Sequence, residues 1–249
     1  MEQLRNAFEQ LKIPVGEEII AKFKKYMDMV LSWNDKVNLT GITDEGEFVR
    51  KHLADSVLCA CFDEVKNASR VIDVGTGAGL PGIPLALIFP EKQFLLIDSV
   101  GKKTRIVGEM AKELGLANVS LLHARAEDLA RKDGFREGFD LCVSRAVARL
   151  AVLSEYCLPF VAVGGAFIAY KGPDASGEAE EAAKAVSLLG GEPAEIRKAP
   201  ICGLGIDHSL VVVKKARRTP AKFPRKAGLP AKAPLLVFSF VALILPICL

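Results

Sequence analysis

The sequence of 249 residues lacks the patterns that mark secreted or metal-binding chains. Its six cysteines form no C-x-x-C pair and no disulfide framework, which favours a reducing compartment. Its three histidines are scattered without ligand spacing, so no metal site is expected. Residues 1–14 alternate charged and apolar side chains and lack the apolar core of a signal peptide. These absences predict a cytoplasmic protein that binds no metal.

Long hydrophobic runs are also scarce, and the longest uncharged one lies at the C-terminus, in residues 235–249. A helix needs roughly 20 apolar residues to cross a bilayer, whereas this run has 15 and is interrupted by Pro246. The sequence therefore predicts no stable membrane insertion. Peripheral membrane contact, packing against the body and a sequence-end artefact stay as alternatives for this run.

Acidic residues are absent from the C-terminal segment that starts at Lys214. This segment holds eight of the 33 Lys and Arg residues, so residues 1–213 carry 25 bases against 30 acids. Four prolines within 214–234 predict an extended arm. Its positive charge favours contact with a polyanion near this end of the chain, with a solvated charge run as the alternative.

The periodicity of apolar residues divides the chain into three stretches. Residues 1–66 show helical spacing, for example at Leu4, Phe8 and Leu11, and predict an N-terminal helical subdomain. Within 67–213, short apolar runs alternate with helical segments, which predicts an α/β domain with a mostly parallel sheet and helices on both faces. The basic arm and the apolar tail occupy residues 214–249. The predicted fold is a Rossmann-like domain with a helical extension.

The predicted strands of the α/β domain are RVIDV, FLLID, VSLL, FDLCVS, GAFIAY and LVVV. Their continuous apolar character fits strands that are buried on both faces. The predicted helices between them span about 80–89, 102–114, 147–158 and 176–189.

A glycine-rich turn directly follows the strand that contains Asp73. Gly75, Gly77 and Gly79 allow positive φ and close approach of a ligand to the backbone. The helix that starts near Leu80 is expected to point its N-terminal amides at this ligand. An acid inside the strand, followed by alternate glycines, is typical of methyltransferases that bind S-adenosylmethionine. A tight strand-to-helix turn without a ligand is the structural alternative.

A dinucleotide is the competing cofactor for this turn. Gly77, Gly79 and Gly82 match G-x-G-x-x-G formally. This fingerprint begins where the strand ends, however, and the strand already ends at Gly75. The register therefore favours S-adenosylmethionine, and an NAD(P)-dependent oxidoreductase stays as the second hypothesis.

Further candidates stand at the predicted carboxyl ends of the strands, where open α/β sheets bind ligands. Asp98 ends FLLID and can accept both ribose hydroxyls, with a helix cap as the alternative. Ala126 and Glu127 follow VSLL and are expected to border an adenine, unless Glu127 is an exposed loop residue. Arg145 ends FDLCVS, where its planar fork suits a carboxylate or a phosphate and a surface ion pair is the alternative. Arg145 and Lys171, which ends GAFIAY, are candidates for positioning the substrate.

The order of several segments resembles the RsmG (GidB) family of bacterial small-subunit ribosomal RNA methyltransferases. The resemblance extends from near the N-terminus to about Leu235, and WN…NLT combined with DVGTGAGLPGIPLA is its most specific part. The matching segments are Trp33-Asn34, Asn38–Thr40, His52–Ser56, 73–86, Asp98-Ser99 with Lys102-Lys103, Ser144–Ala146, Tyr170–Gly172 and Lys222–Pro230. His208 departs from the family pattern, in which a basic residue, often arginine, is expected.

The resemblance implies a class I S-adenosylmethionine-dependent methyltransferase acting on N7 of a guanine in a decoding-region loop of 16S rRNA. The partner is then 16S rRNA or a precursor of the small ribosomal subunit, and a monomer is expected. Cofactor contacts are implied at Gly75, Leu80, Ala126, Glu127 and Arg145, and the motif and the strand end that follows it predict further contacts at Asp73, Gly77, Gly79 and Asp98. RNA phosphates are expected at Lys102, Lys103, Arg105, Arg149, Lys214, Lys215, Arg217, Arg218 and Arg225. A non-catalytic rRNA-binding protein on the same scaffold is the third hypothesis.

Overall fold

Seven strands form one sheet in the computed structural model, which describes residues 1–206 and 208–236. The strands are β1 (Arg70–Val74), β2 (Gln93–Asp98), β3 (Val119–His123), β4 (Phe139–Arg145), β5 (Val161–Lys171), β6 (Glu195–Arg197) and β7 (Ser209–Lys214). Their order across the sheet is β3-β2-β1-β4-β5-β7-β6. Strand β7 runs antiparallel to β5 and β6, and the other neighbours are parallel. The prediction of a mostly parallel sheet is confirmed.

Helices precede the sheet and connect its strands. The N-terminal part contains α1 (Glu2–Gln10), α2 (Glu17–Asn34), α3 (Glu45–Phe48) continuing as a π-helical turn (Val49–Ala54), a 3₁₀ turn (Leu58–Cys61) and α4 (Asp63–Lys66). The connections contain α5 (Gly82–Ile88), α6 (Gly101–Glu113), α7 (Ala126–Leu129), α8 (Leu150–Cys157) with a 3₁₀ turn (Leu158–Phe160), and α9 (Ala175–Leu188). Helix α10 (Leu229–Lys232) follows the last strand.

The predicted strands and connecting helices agree with these elements to within a few residues, with two differences. Strand β5 begins at Val161, before the predicted GAFIAY, because its first residues pair with β4. Strand β6 is absent from the sequence prediction, because its three residues Glu195, Ile196 and Arg197 are mostly polar and only partly covered. Such a short edge strand has too few apolar positions to show a period of two.

The strands alternate their side chains between two cores, one on each face of the sheet. Leu141 and Val143 of β4 face the first core, and Cys142 between them faces the second. Both faces are covered by helices, so nearly every central strand residue is apolar and buried. The sequence pattern of continuous apolar runs follows from this arrangement.

The N-terminal helices pack against the first face and reach the turn after β1. In α1 and α2, Phe8 and Phe23 meet edge-on with ring centroids 5.6 Å apart. Tyr26 of α2 is fully buried and donates a hydrogen bond to the carbonyl of Ala78, at 2.9 Å. The helical extension therefore shares a core with the sheet and braces the glycine-rich turn. The domain limits predicted at 66/67 and 213/214 stay predictions.

The segment after β7 is packed on the body, which corrects the prediction of an extended arm. Lys215 is buried and donates to the carbonyl of Leu158 at 2.6 Å and to Thr219 Oγ1 at 2.7 Å. Arg136 donates to the carbonyls of Thr219 and Phe223, at 2.8 and 2.9 Å. The prediction that Lys215 binds an RNA phosphate is wrong, because its ammonium group is enclosed and bonded within the protein.

Most of the apolar C-terminal run, residues 237–249, lies outside the described residues. The prediction about Pro246 and membrane insertion falls on that part. Leu235, at the start of the run, is partly buried against the second core. Among the described residues, we find no helix with the length and apolar character needed to cross a bilayer.

Candidate active site

The site lies at the point between β1 and β4 where the strand order of the sheet reverses. The chain passes from β1 outward to β2 and β3, then returns to β4 on the other side of β1. Neighbouring strand ends therefore bring the turn after β1 beside Arg145, the last residue of β4. Ser144 Oγ joins them by donating to the carbonyl of Val74, at 2.7 Å. Open α/β sheets bind ligands at such a position.

Asp73 fixes the glycine-rich turn by hydrogen bonds from the interior of the protein. Its carboxylate is fully buried, and Oδ2 accepts from Thr76 Oγ1 at 2.7 Å and from the Gly82 amide at 2.9 Å. Burial raises the pKa of Asp73 to about 7. The sequence predicts a cofactor contact for this residue. The structure corrects this prediction, because the carboxylate is directed into the protein and fixes the turn.

Asp98 links this turn to the end of β2. Its Oδ2 accepts from the Gly77 amide at 2.9 Å, and Oδ1 accepts from the Val100 amide at 2.8 Å. Each carboxylate oxygen has about two lone-pair sites, so both oxygens can accept a further hydrogen bond. Asp98 thus caps the loop, as the structural alternative expected, and keeps acceptor capacity for a ligand.

Two cavities meet at Gly75 and Asp98, which line both of them. The first, here called the turn cavity, measures about 280 Å³ and includes Gly77, Leu80 and Arg145. The second, here called the Glu127 cavity, measures about 230 Å³ and includes the neighbouring predicted residue Ala126. Most of the predicted cofactor residues therefore line one continuous region.

Gly79 lies apart from the two cavities and packs against the first core. Its φ is +100°, and a Cβ at this position would lie 2.7 Å from Ile83 Cγ1 and 3.1 Å from Val107 Cγ1. Only glycine combines this backbone conformation with such close packing. Gly79, predicted to contact the cofactor, instead lets the turn pack against α5 and α6.

The C-terminal segment forms one wall of the Glu127 cavity, which the sequence did not predict. Gly228 and Ala231 line the cavity, and the Gly228 amide donates to Glu127 Oε1 at 2.9 Å. Arg225 is held by a salt bridge to Glu155, which is buried, with 2.6 Å between Nη2 and Oε2. Arg225 is predicted to bind an RNA phosphate, and in the structure its guanidinium neutralises Glu155 and anchors this wall.

Arg145 is fixed by three acceptors of the N-terminal extension. Nη1 donates to Asp55 Oδ2 at 2.8 Å and to the carbonyl of Lys51 at 3.1 Å, and Nη2 lies 3.2 Å from His52 Nδ1. The side chains of Arg145 and Asp55 are 9% and 1% exposed, so this is not the surface ion pair considered from the sequence. A guanidinium has five N–H donors, and two remain beyond these three contacts.

His52 is neutral in this network. Burial and then the charge of Arg145 lower its pKa to about 4. Nδ1 lies 3.2 Å from Arg145 Nη2, which can only donate, and also 3.2 Å from the carbonyl oxygen of Lys51, which can only accept. Nε2 lies 2.6 Å from Thr40 Oγ1, a hydroxyl that can either donate or accept. His52 therefore connects the NLT segment to Arg145, a role that the scattered histidines of the sequence did not reveal.

The lowered pKa of His52 predicts that this residue destabilises the fold in acid. In the unfolded chain His52 binds a proton near its ordinary pKa of 6.5, whereas in the folded protein it does so only near 4. The contribution of His52 is therefore full above pH 6.5 and falls toward pH 4, by an amount on the order of 3 kcal/mol, while the raised pKa of Asp73 acts in the opposite direction over the same range. Thermal unfolding of the protein and of His52→Asn across this range measures it. The His52→Asn variant should lose less stability in acid than the parent protein. If the stabilities of the two proteins change with pH in parallel, His52 does not cause the effect.

A third cavity adjoins the turn cavity on the side of the N-terminal extension. It measures about 380 Å³, is here called the His208 cavity, and shares His52, Arg145 and Ala146 with the turn cavity. His208 Nδ1 lies 2.6 Å from Oδ1 of the buried Asp55. His208 thus stands at the site, although it departs from the expected basic residue.

A model of the family described as rRNA small subunit methyltransferase G matches residues 19–201. The chain is 46% identical over 232 residues to the ribosomal RNA small subunit methyltransferase G of Clostridium tetani, covering 93% of this chain and 97% of that one. For the Clostridium perfringens protein of the same name, the identity is 44% with the same coverage. The chain belongs to the small-subunit rRNA methyltransferase G family.

Membership of this family confirms the predicted family resemblance, the enzyme class and S-adenosylmethionine as the methyl donor. An S-adenosylmethionine-dependent O-methyltransferase from Thermotoga maritima has a similar structure, with a TM-score of 0.52 and 17% identity. The similarity covers 76% of this chain and 72% of that one. At this identity the likeness shows the fold alone, and it confirms the predicted Rossmann-like class.

In this family member, Lys171 packs beneath the loop that follows Arg145, on the side of the protein interior. It is buried, forms a salt bridge to Glu178 at 2.7 Å and donates to the carbonyl of Ala148 at 2.6 Å. Lys171 therefore holds the loop, and it reaches the site only through the backbone of that loop. Among the described residues, no group of three His, Cys, Asp or Glu is arranged to hold a metal ion.

The basic residues predicted to bind RNA separate into two regions. Lys103 lines the turn cavity, and Lys102 and Arg105 are exposed beside it on α6. Arg149 is exposed after β4 and pairs with Glu181. Lys214 instead ends the antiparallel strand β7, beside Asp63 and Glu64. This opposite edge of the sheet is the one formed by the amino ends of the parallel strands, away from the cofactor cavities. Arg217 and Arg218, both exposed, follow it.

Proposed function

We propose that this chain transfers a methyl group from S-adenosylmethionine to N7 of a guanine in 16S rRNA, acting as a monomer in the cytoplasm. One observation carries the proposal. Gly75 and Asp98 line both the turn cavity and the Glu127 cavity, with Arg145 at the far end, in a chain of this methyltransferase family. The substrate is 16S rRNA or an assembling small ribosomal subunit.

The residues of the two cavities fit the cofactor. Asp98 keeps acceptor sites for the ribose hydroxyls, and Gly75 has no side chain to obstruct the passage between the cavities. Ala126 and Glu127 line the end assigned to adenosine. Arg145 has two donors left at the end assigned to the carboxylate. When bound, the cofactor supplies an electrophilic methyl group.

The chemistry proposed for N7 needs positioning more than proton transfer. N7 of guanine carries a lone pair and no proton, so no general base is required. The site agrees with this, since His52 is already bonded on both ring nitrogens and Asp73 is enclosed below the turn. Alignment of the reacting groups can lower the barrier by roughly 7–11 kcal/mol. The network around Arg145 supplies rigidity for that alignment.

A transfer assay tests the proposal. The purified protein is incubated with methyl-labelled S-adenosylmethionine and either naked 16S rRNA or small ribosomal subunits, and the labelled nucleotide is located by mass spectrometry. A single 7-methylguanosine is expected. Calorimetry with S-adenosylmethionine and with NAD distinguishes the methyltransferase from the oxidoreductase alternative, which requires that NAD binds. Binding of rRNA without any transfer from the bound cofactor would favour the non-catalytic alternative.

The positions of the basic residues predict which surface binds RNA. Replacing both Lys102 and Arg105 with alanine should reduce the dependence of log K on log salt concentration. The expected reduction is about 0.7–0.9 for each phosphate that no longer meets a cationic side chain. Filter binding across a salt series measures it. The matched control is Lys214→Ala with Arg218→Ala, which removes two exposed charges at the opposite edge. A larger decrease of the salt slope for the control pair would indicate that RNA binds at that opposite edge instead.

A further inference from the structure

The His208 cavity is large enough for a small planar ligand and opens beside the turn cavity. Its volume of about 380 Å³ lies within the range of small-molecule sites, roughly 300–1,000 Å³. Arg145 and Ala146 line both cavities. A ligand in the His208 cavity therefore lies next to the end of the turn cavity that Arg145 closes.

The walls of this cavity combine apolar and polar groups from three parts of the chain. Ile42 and Asp55 come from the N-terminal extension, Arg145 from β4, and Ile206 and His208 from the segment before β7. Apolar side chains suit the faces of a planar base, and polar groups suit its edge. An enzyme that modifies a base must take the base out of its stack into such a pocket.

The pair of Asp55 and His208 gives this wall a fixed polar group. Asp55 is fully buried, with one oxygen on His208 Nδ1 at 2.6 Å and the other on Arg145 at 2.8 Å. A carboxylate that accepts from one ring nitrogen orients the imidazole and sets its tautomer. The His208 side chain is 41% exposed and lines the cavity, so the oriented ring is accessible to a ligand.

Asp55 also balances the charge of the cavity. Methylation of N7 leaves the purine with a positive charge, which the guanidinium of Arg145 alone would repel. A carboxylate 2.8 Å from that guanidinium offsets the repulsion within a partly buried site. The ion pair therefore allows an arginine to stand beside a base that becomes cationic.

We propose that the His208 cavity receives the base that is methylated, and that His208, oriented by Asp55, contacts the edge of this base. The inference rests on the proposed function, because it assigns the substrate pocket of the same site. It gives the N-terminal extension a direct role, since the extension supplies Asp55 and one apolar wall.

Two variants test this assignment in different ways. His208→Ala removes the polar contact, and Ile206→Trp fills part of the cavity. Lys198→Ala, at an exposed position outside the three cavities, is the control. Methyl transfer to small ribosomal subunits is measured at saturating S-adenosylmethionine, and cofactor affinity is measured by calorimetry. Thermal unfolding confirms that each variant is folded.

We expect both site variants to lower kcat/KM for the RNA substrate by roughly tenfold or more, with cofactor Kd within about twofold of the parent. Wild-type transfer by both variants would overturn the assignment. An equal loss of cofactor affinity would also overturn it and assign the cavity to the cofactor. If the parent protein itself transfers no methyl group to RNA, the proposed function fails, and this inference fails with it.

Discussion

Replacing Arg145 with lysine is expected to lower methyl transfer at least about 100-fold, because a small misplacement of the reacting groups costs that much. Arg145 stands between the turn cavity and the His208 cavity and uses three donors to hold its place. Lysine keeps the positive charge beside Asp55, but it cannot reproduce the planar fork that also reaches His52. The measurement is the single-turnover rate at saturating cofactor and RNA.

The control for Arg145→Lys is Arg197→Lys, which changes an arginine whose Nε, Nη1 and Nη2 all donate to carboxylates. Arg197 pairs with Glu64 and Glu195, and Glu64 lies at the opposite edge of the sheet. This control should transfer methyl groups at the parental rate. Arg145→Ala is expected to lose about 3–5 kcal/mol of stability as well, since it leaves a buried carboxylate without its main partner. A parental rate in folded Arg145→Lys would contradict the role assigned to Arg145.

Replacing Gly75 with alanine is expected to weaken cofactor binding at least about tenfold more than the same change at Gly77. Both glycines have positive φ, +74° and +58°, so alanine adds a similar strain of about 1–2 kcal/mol at each. At Gly75 the new Cβ would lie 2.4 Å from Val147 Cγ2, in the passage between the two cofactor cavities. Overpacking of this kind costs typically 1–3 kcal/mol more.

Gly77→Ala is the matched control, because the nearest atom to its new Cβ is a carbonyl oxygen 4.0 Å away. Calorimetry of both variants with S-adenosylmethionine measures the difference, and thermal unfolding checks that both are folded. Equal losses of affinity would mean that backbone strain alone decides binding. The cofactor would then not pass between Gly75 and Val147.

The sequence predicted the parts of the site that are local in the chain. The turn from Gly75 to Leu80 and the carboxylate of Asp98 follow strands whose apolar runs are continuous, so their place at the sheet edge could be inferred. It could not predict which of these residues face the cofactor. Asp73 and Gly79 belong to the same motif, yet their side-chain directions depend on the packing of α5 and α6.

The network around Arg145 could not be predicted, because its members are distant in the chain. Asp55 and His208 are 153 residues apart, and His208 directly precedes β7, which pairs with β5. The same limit applies to Arg225 and its salt bridge. Its proline- and lysine-rich surroundings are typical of an arm, but its partner Glu155 lies 70 residues earlier on α8. Composition cannot identify such a partner.

The most direct test of the proposed activity compares small-subunit rRNA from cells with and without an intact gene for this protein. Mass spectrometry of RNA fragments detects each methylated guanine. We predict that one 7-methylguanosine is absent without the gene and returns when the parent protein is supplied, but not when Arg145→Lys is supplied. Identical methylation in both RNAs would contradict the proposed activity.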